Sequence, residues 1–127
     1  MNNEVITSLC KGNLQFMDLS DDQRDDIEIA TIALQIEPYN LQIVGQNVLD
    51  DIELMRFLMS NVKHLHVLHD IVGMMCEHVF NDATFMLIIC RKWNANIRLA
   101  STRLKNDSDF MSSIILLTEK NHLFNII

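Results

Sequence analysis

The chain has 127 residues and a formal net charge of −7, and 49% of its residues are apolar. That length suits one compact domain, and only three glycines and one proline exclude a turn-rich sheet protein. The acidic balance disfavours general nucleic-acid binding through phosphates, and no apolar run approaches the ~18–20 residues of a membrane span.

The opening stretch, "MNNEVITSLCKG", lacks the basic region and long apolar run of a signal peptide. A soluble, cytoplasmic protein is expected, with secretion into a host cell without a classical signal peptide left open. Cys10, Cys76 and Cys90 are odd in number and lie among apolar neighbours, which predicts buried free thiols. No sustained period-2 alternation or hairpin dipeptide occurs, so the expected class is all-α.

An acidic hexapeptide appears twice, "RDDIEI" at 24–29 and "LDDIEL" at 49–54, with weaker relatives "FNDATF" at 80–85 and "KNDSDF" at 105–110. The aligned acids are Asp26, Asp51, Asp82 and Asp107, at intervals of 25, 31 and 25. Three, four, seven and eight residues past each acid come apolar or small residues, from Ile29, Ala30, Ala33 and Leu34 to Phe110, Met111, Ile114 and Ile115. That spacing is one helix face. The acids have capping-box spacing, so Asp25, Asp50, Asn81 and Asn106 are expected as helix N-caps. Repetition in every unit argues against a catalytic acid pair.

The segments ahead of the acids also align: "NLQIVGQNVLDD" (40–51), "IVGMMCEHVFND" (71–82) and "NIRLASTRLKND" (96–107). A small residue recurs at Gly45, Cys76 and Ser101, as close packing of short helices needs. One unit therefore reads as a short helix, a capped turn and a longer helix. Stacked helical hairpins would form one helical-repeat bundle over 1–127, with units near 13–37, 38–62, 63–93 and 94–120. The six extra residues of the third unit fall within "NVKHLHVLHDIV" (61–72) and should lengthen a helix or loop.

"NIRLASTRLKNDSDFMSSII", with Trp93 just ahead of it, resembles the repeat of the family called domain of unknown function 4116. Leu99, Ala100, Ser101, Leu104, Asp107 and Phe110 match that pattern, and Asp26, Asp51 and Asp82 match its acid. Val44-Gly45 and Met75-Cys76 stand where the family has an Ala-Ser pair. The likeness covers roughly residues 13–120. It implies a helical repeat found in proteins of intracellular bacteria, large DNA viruses and protists, and carries no common enzymatic activity.

In "HLHVLHD" (64–70), His66 and His69 share a helix face and Asp70 adjoins them. An amphipathic helix with solvated histidines is expected; a pH-sensitive partner contact and a metal site are the alternatives. Charge is uneven: residues 1–82 carry 4 Lys/Arg against 14 Asp/Glu, and residues 83–127 carry 6 against 3. Such a dipolar surface can steer a partner, with Asp21, Asp22 and Glu37 as candidate steering charges. The apolar close of the chain (Leu123, Phe124, Ile126, Ile127) either folds back or meets a partner, which makes Phe124 a candidate contact.

The expected function is a non-enzymatic protein-binding module, a small bacterial effector or regulator that inhibits a partner such as another effector enzyme. That setting comes from the resemblance alone. A self-associating homodimer is the second expectation, and a His/Cys/Asp enzyme around 64–82 the third. No catalytic residue, cofactor, metal ligand, nucleic acid or membrane is expected.

Overall fold

The structure, a computed structural model, describes the backbone of residues 2–126 and the side chains of residues 2–117. It is all-α, with no strand among the described residues. The chain forms two compact units, Met1–Cys76 and Glu77–Ile127.

The first unit opens with α1 (Asn2–Cys10) and a 3-10 turn at Phe16–Asp18. It continues through α2 (Asp21–Arg24), α3 (Ile27–Ile36), a 3-10 turn at Pro38–Ile43, α4 (Gln46–Asp50), α5 (Ile52–Asn61) and α6 (Leu65–Val72). The six inserted residues fall in the stretch that contains α6. The second unit runs from a 3-10 turn at Glu77–Asn81 through α7 (Ala83–Lys92) to a 3-10 turn at Asn94–Leu99. It ends with α8 (Thr102–Lys105) and α9 (Ser108–Ile126).

The four aspartates start the four longer helices α3, α5, α7 and α9. Each carboxylate accepts from the amide three residues on: Ile29 to Asp26 at 3.1 Å, Leu54 to Asp51 at 2.9 Å, Phe85 to Asp82 at 2.7 Å, Phe110 to Asp107 at 3.0 Å. The N-caps thus stand one residue later than expected. Asp25, Asp50, Asn81 and Asn106 are not N-caps; they belong to the ends of the preceding short helices and turns. The reason is conformational. An N-cap needs extended backbone, which Asp26 has (φ −86, ψ 123) and Asp25 lacks (φ −97, ψ 4). In the true register the third helical residue is apolar, so no acid returns the bond, and Glu28 and Glu53 sit in the first turn facing the positive helix end. A reciprocal capping box does occur at Ser20 and Gln23, opening α2.

These caps aim the predicted faces inward. Ile29, Ala30, Ala33 and Leu34 on α3 are buried, as are Leu54, Met55, Leu58 and Met59 on α5. On α7, Phe85, Met86, Ile89 and Cys90 are buried within the second unit. The fourth face departs from expectation: Phe110 and Ile114 are buried, whereas Ile115 is exposed.

The helix ends close alike too. The side-chain amide of Asn40 donates to the Ala33 carbonyl at 3.0 Å, and that of Asn96 to the Ile89 carbonyl at 2.8 Å. Each is a second bond to a carbonyl that already accepts from the C-cap residue, Glu37 N–H at Ala33 and Trp93 N–H at Ile89. Asn96 is itself buried.

The small residues hold the next contact. Gly45 N–H donates to the Arg24 carbonyl at 3.2 Å, and Ser101 N–H to the Phe80 carbonyl at 2.9 Å. Two residues on, the amide N–H and side-chain amide of Asn47 both donate to the Asp25 carboxylate, at 2.8 and 2.7 Å. At the matching place Arg103 Nε donates to Asn81 Oδ1 at 2.8 Å, joined by the Ser101 hydroxyl at 2.7 Å. Every member of the second set lies 56 residues after its counterpart in the first. Helices α3 and α7, and the two six-residue 3-10 turns, keep that same offset.

Candidate functional site

In the first unit a groove of about 370 Å³ runs between α3 and α5. Thr31, Leu34, Gln35 and Pro38 form one wall; Leu54, Phe57, Leu58, Asn61 and Val62 form the other. Leu34, Leu54, Leu58 and Val62 are buried and make its floor, and Phe57 stands 43% exposed at its edge. Thr31 Oγ1 donates to the Ile27 carbonyl at 2.7 Å, and Asn61 Nδ2 to the Phe57 carbonyl at 2.7 Å. Of the three polar lining side chains, Thr31 and Asn61 are tied to their own helix, and the groove offers chiefly apolar surface.

Acid stands at the head of both walls. Glu28 precedes Thr31 by three residues and Glu53 precedes Phe57 by four, spacings that place them on the same helix faces; both are exposed. The unit as a whole, residues 1–76, carries 12 Asp/Glu against 4 Lys/Arg. Further large apolar side chains are exposed on this unit at Met17, Ile27, Ile36 and Leu65.

Several sequence candidates have internal partners. Asp21 pairs with Arg24, which also donates to the Ile43 carbonyl at 3.3 Å. Glu37 caps the turn at Pro38–Ile43, accepting from Tyr39 N–H at 3.4 Å. Asp70 accepts from the Tyr39 hydroxyl at 2.5 Å, and this bond to a carboxylate pushes the Tyr39 phenol above its ordinary value. Asp22, His66 and His69 are exposed, and the ring of His66 lies 5.7 Å from that of His64. The Phe124 side chain, and those of Leu123, Ile126 and Ile127, lie outside the described residues.

The thiols divide differently from expectation. Cys90 alone is buried, and burial pushes its pKa up to about 11. Cys76 is half-buried and accepts from Gln46 Nε2 at 3.6 Å; Cys10 is exposed. Cys10 sits at the last residue of α1, a helix that buries only Leu9 among its residues.

Sequence reasoning missed the groove. Its signal was Phe57, an aromatic six residues past Asp51 and therefore off the predicted core face. It also missed Asn40 and Asn96, although both open the aligned segments.

Among the described residues no helix is long and apolar enough to cross a membrane. No family model, no curated protein and no solved structure matches the chain.

Proposed function

We propose that the chain is a non-enzymatic protein-binding module whose first unit docks an amphipathic helix of another protein in the groove between α3 and α5. The single observation that carries this reading is Phe57, 43% exposed beside a floor of buried leucines. An apolar groove between two helices is the usual seat for such a helix, whose side chains at i, i+3/i+4 and i+7 enter it. Glu28 and Glu53, each in the first turn of a wall helix on a unit with threefold more acids than bases, favour a partner helix flanked by Lys or Arg. The aspartates Asp26, Asp51, Asp82 and Asp107 support a structural rather than catalytic use of the acids, because each is bonded to a backbone amide.

In this reading the aspartate-started units are helical repeats of the kind domain of unknown function 4116 contains. Inhibition of an effector enzyme in a bacterial setting belongs to that likeness; groove binding stands without it. The test uses an 18-residue Leu/Lys amphipathic peptide and its Leu/Glu counterpart, read by fluorescence anisotropy. The Leu/Lys peptide should bind the wild-type chain and bind Phe57→Ala much more weakly. Equal affinity for the two proteins would remove the groove as the site.

A further inference from the structure

The second unit concentrates the chain's positive charge. Residues 83–106 hold five of its ten Lys/Arg (Arg91, Lys92, Arg98, Arg103 and Lys105) and no Asp or Glu. Acids bound this run at both ends. Asp82 and Asp107 cap α7 and α9. Beyond them Glu77 opens the unit's first 3-10 turn, Asp109 is exposed in the first turn of α9, and Glu119 adjoins Lys120 in sequence.

The fold gathers part of this run into one place. The Arg98 guanidinium lies over the Trp93 ring, 5.4 Å from its centroid, within cation–π range. Lys105, at the end of α8, donates to the Arg98 carbonyl at 3.0 Å. Arg98 and Lys105 are exposed and Trp93 is half-buried. Arg91 and Lys92 directly precede Trp93 in the last turn of α7. Arg103 is directed elsewhere, to Asn81. Neither Arg98 nor Lys105 pairs with a carboxylate among the described residues.

The fold does not need these side chains. The first unit builds the same helix, 3-10 turn and short helix 56 residues earlier. There Gln35, Ile36, Glu37, Gln42 and Leu49 stand in the places of Arg91, Lys92, Trp93, Arg98 and Lys105. None of the five is basic. Bases near helix ends gain from the helix dipole, yet the matching ends in the first unit form without them.

We propose that Trp93, Arg98 and Lys105 form a docking site for an acidic segment of another protein, with Asp or Glu carboxylates as the groups bound. A guanidinium held flat on an indole is already ordered, and its planar fork of N–H groups matches a carboxylate. Lys105 uses one donor on the Arg98 carbonyl, which fixes the ammonium beside the same turn and leaves two donors for a second carboxylate. A nucleic acid fits this place less well. Single strands stack their bases on aromatic faces, and the Trp93 face carries Arg98 instead. A phosphate backbone also needs a longer basic track than one that Asp82 and Asp107 bound. The site is separate from the groove between α3 and α5 and selects the opposite charge.

Trp93 is the chain's one tryptophan, so its emission reports this site directly. The full chain is titrated with a labelled Glu/Ser peptide that lacks tryptophan, and in parallel with labelled oligothymidylate, with anisotropy as the second readout. The Glu/Ser peptide should change Trp93 emission saturably and bind more weakly as salt rises. Arg98→Gln should weaken binding at least about tenfold, and Lys105→Gln should weaken it too. Both positions are exposed, and circular dichroism checks that the variants stay folded. Phe57→Ala should bind the peptide as the wild type does. Wild-type affinity in both charge variants, or no binding of the peptide, overturns the proposal. So does tighter binding of oligothymidylate, which would assign the surface to nucleic acid, and so does loss of binding in Phe57→Ala, which would move the contact to the first unit.

Discussion

A methyl group placed on Gly45 would lie 2.2 Å from Oδ1 and 2.4 Å from Cβ of Asp25. The backbone of one segment and the side chain of another thus meet where no side chain fits between them. The approach brings Gly45 N–H to the Arg24 carbonyl and Asn47 to the Asp25 carboxylate. Gly45→Ala must push this contact apart. It should lower stability by about 1–3 kcal/mol, the usual cost of overpacking, as read from urea unfolding. An unchanged midpoint would show that Asp25 can turn away freely.

The register of the caps gives a paired test. Asp51→Ala removes the acceptor for Leu54 N–H and should cost about 0.5–2 kcal/mol. Asp50→Ala removes only an exposed bond from Gln46, and should change stability by less than about 0.5 kcal/mol. Thermal or chemical unfolding of the two variants side by side decides it. The reverse order would restore the cap to the first acid.

The two asparagines show where sequence reading succeeded and where it stopped. The helix faces were legible because burial imposes a 3-4-7-8 spacing, and Ile29, Leu54 and Phe85 obey it. The cap register was not, because the capping-box spacing Asp25-x-x-Glu28 points to the first acid, and only backbone geometry shows that Asp26 is the cap. Asn40 and Asn96 were visible at matching places, but their partners, the Ala33 and Ile89 carbonyls, become apparent only when the chain turns back at a helix end. The groove was hidden for a related reason: it depends on how far apart α3 and α5 pack. The uncovered Ile115 was hidden because a face pattern states what a helix can bury, not whether a neighbour is there.

Asn96→Ala should therefore cost about 0.5–1.5 kcal/mol, since it removes a buried side-chain bond to the Ile89 carbonyl, which keeps that of Trp93 N–H. Asn40→Ala should cost less, because Asn40 is only half-buried and water can replace it. Equal, small losses in the two variants would mean that these amides do not close their helices.

Thiol chemistry should follow burial. At pH 8, iodoacetamide should modify Cys10 first and leave Cys90 unmodified in the folded chain, as read by peptide mass spectrometry. The folded Cys90 thiol titrates near 11 against an ordinary 9.0, so the folded state holds its proton more tightly than the unfolded state. Its contribution to stability is complete below about pH 9 and is lost as pH rises through 11. The raised Tyr39 phenol acts in the same direction. Cys90→Ala should flatten this alkaline fall; an equally steep fall would exclude the thiol as a cause.

Phe57→Ala should weaken binding of the Leu/Lys peptide by about 2 kcal/mol, or roughly thirtyfold in Kd, as an aromatic anchor does. The fold should be preserved, because the ring is partly in solvent. Glu28→Gln with Glu53→Gln should slow association and flatten its salt dependence while dissociation changes little. Stopped-flow anisotropy at two ionic strengths separates those effects.

The most direct measurement is an NMR titration of the isotope-labelled chain with that peptide. The account predicts saturable shifts at the amides of Thr31, Gln35, Phe57 and Asn61, with those of α7 unmoved. Shifts confined to other surfaces, or none at saturating peptide, would contradict it.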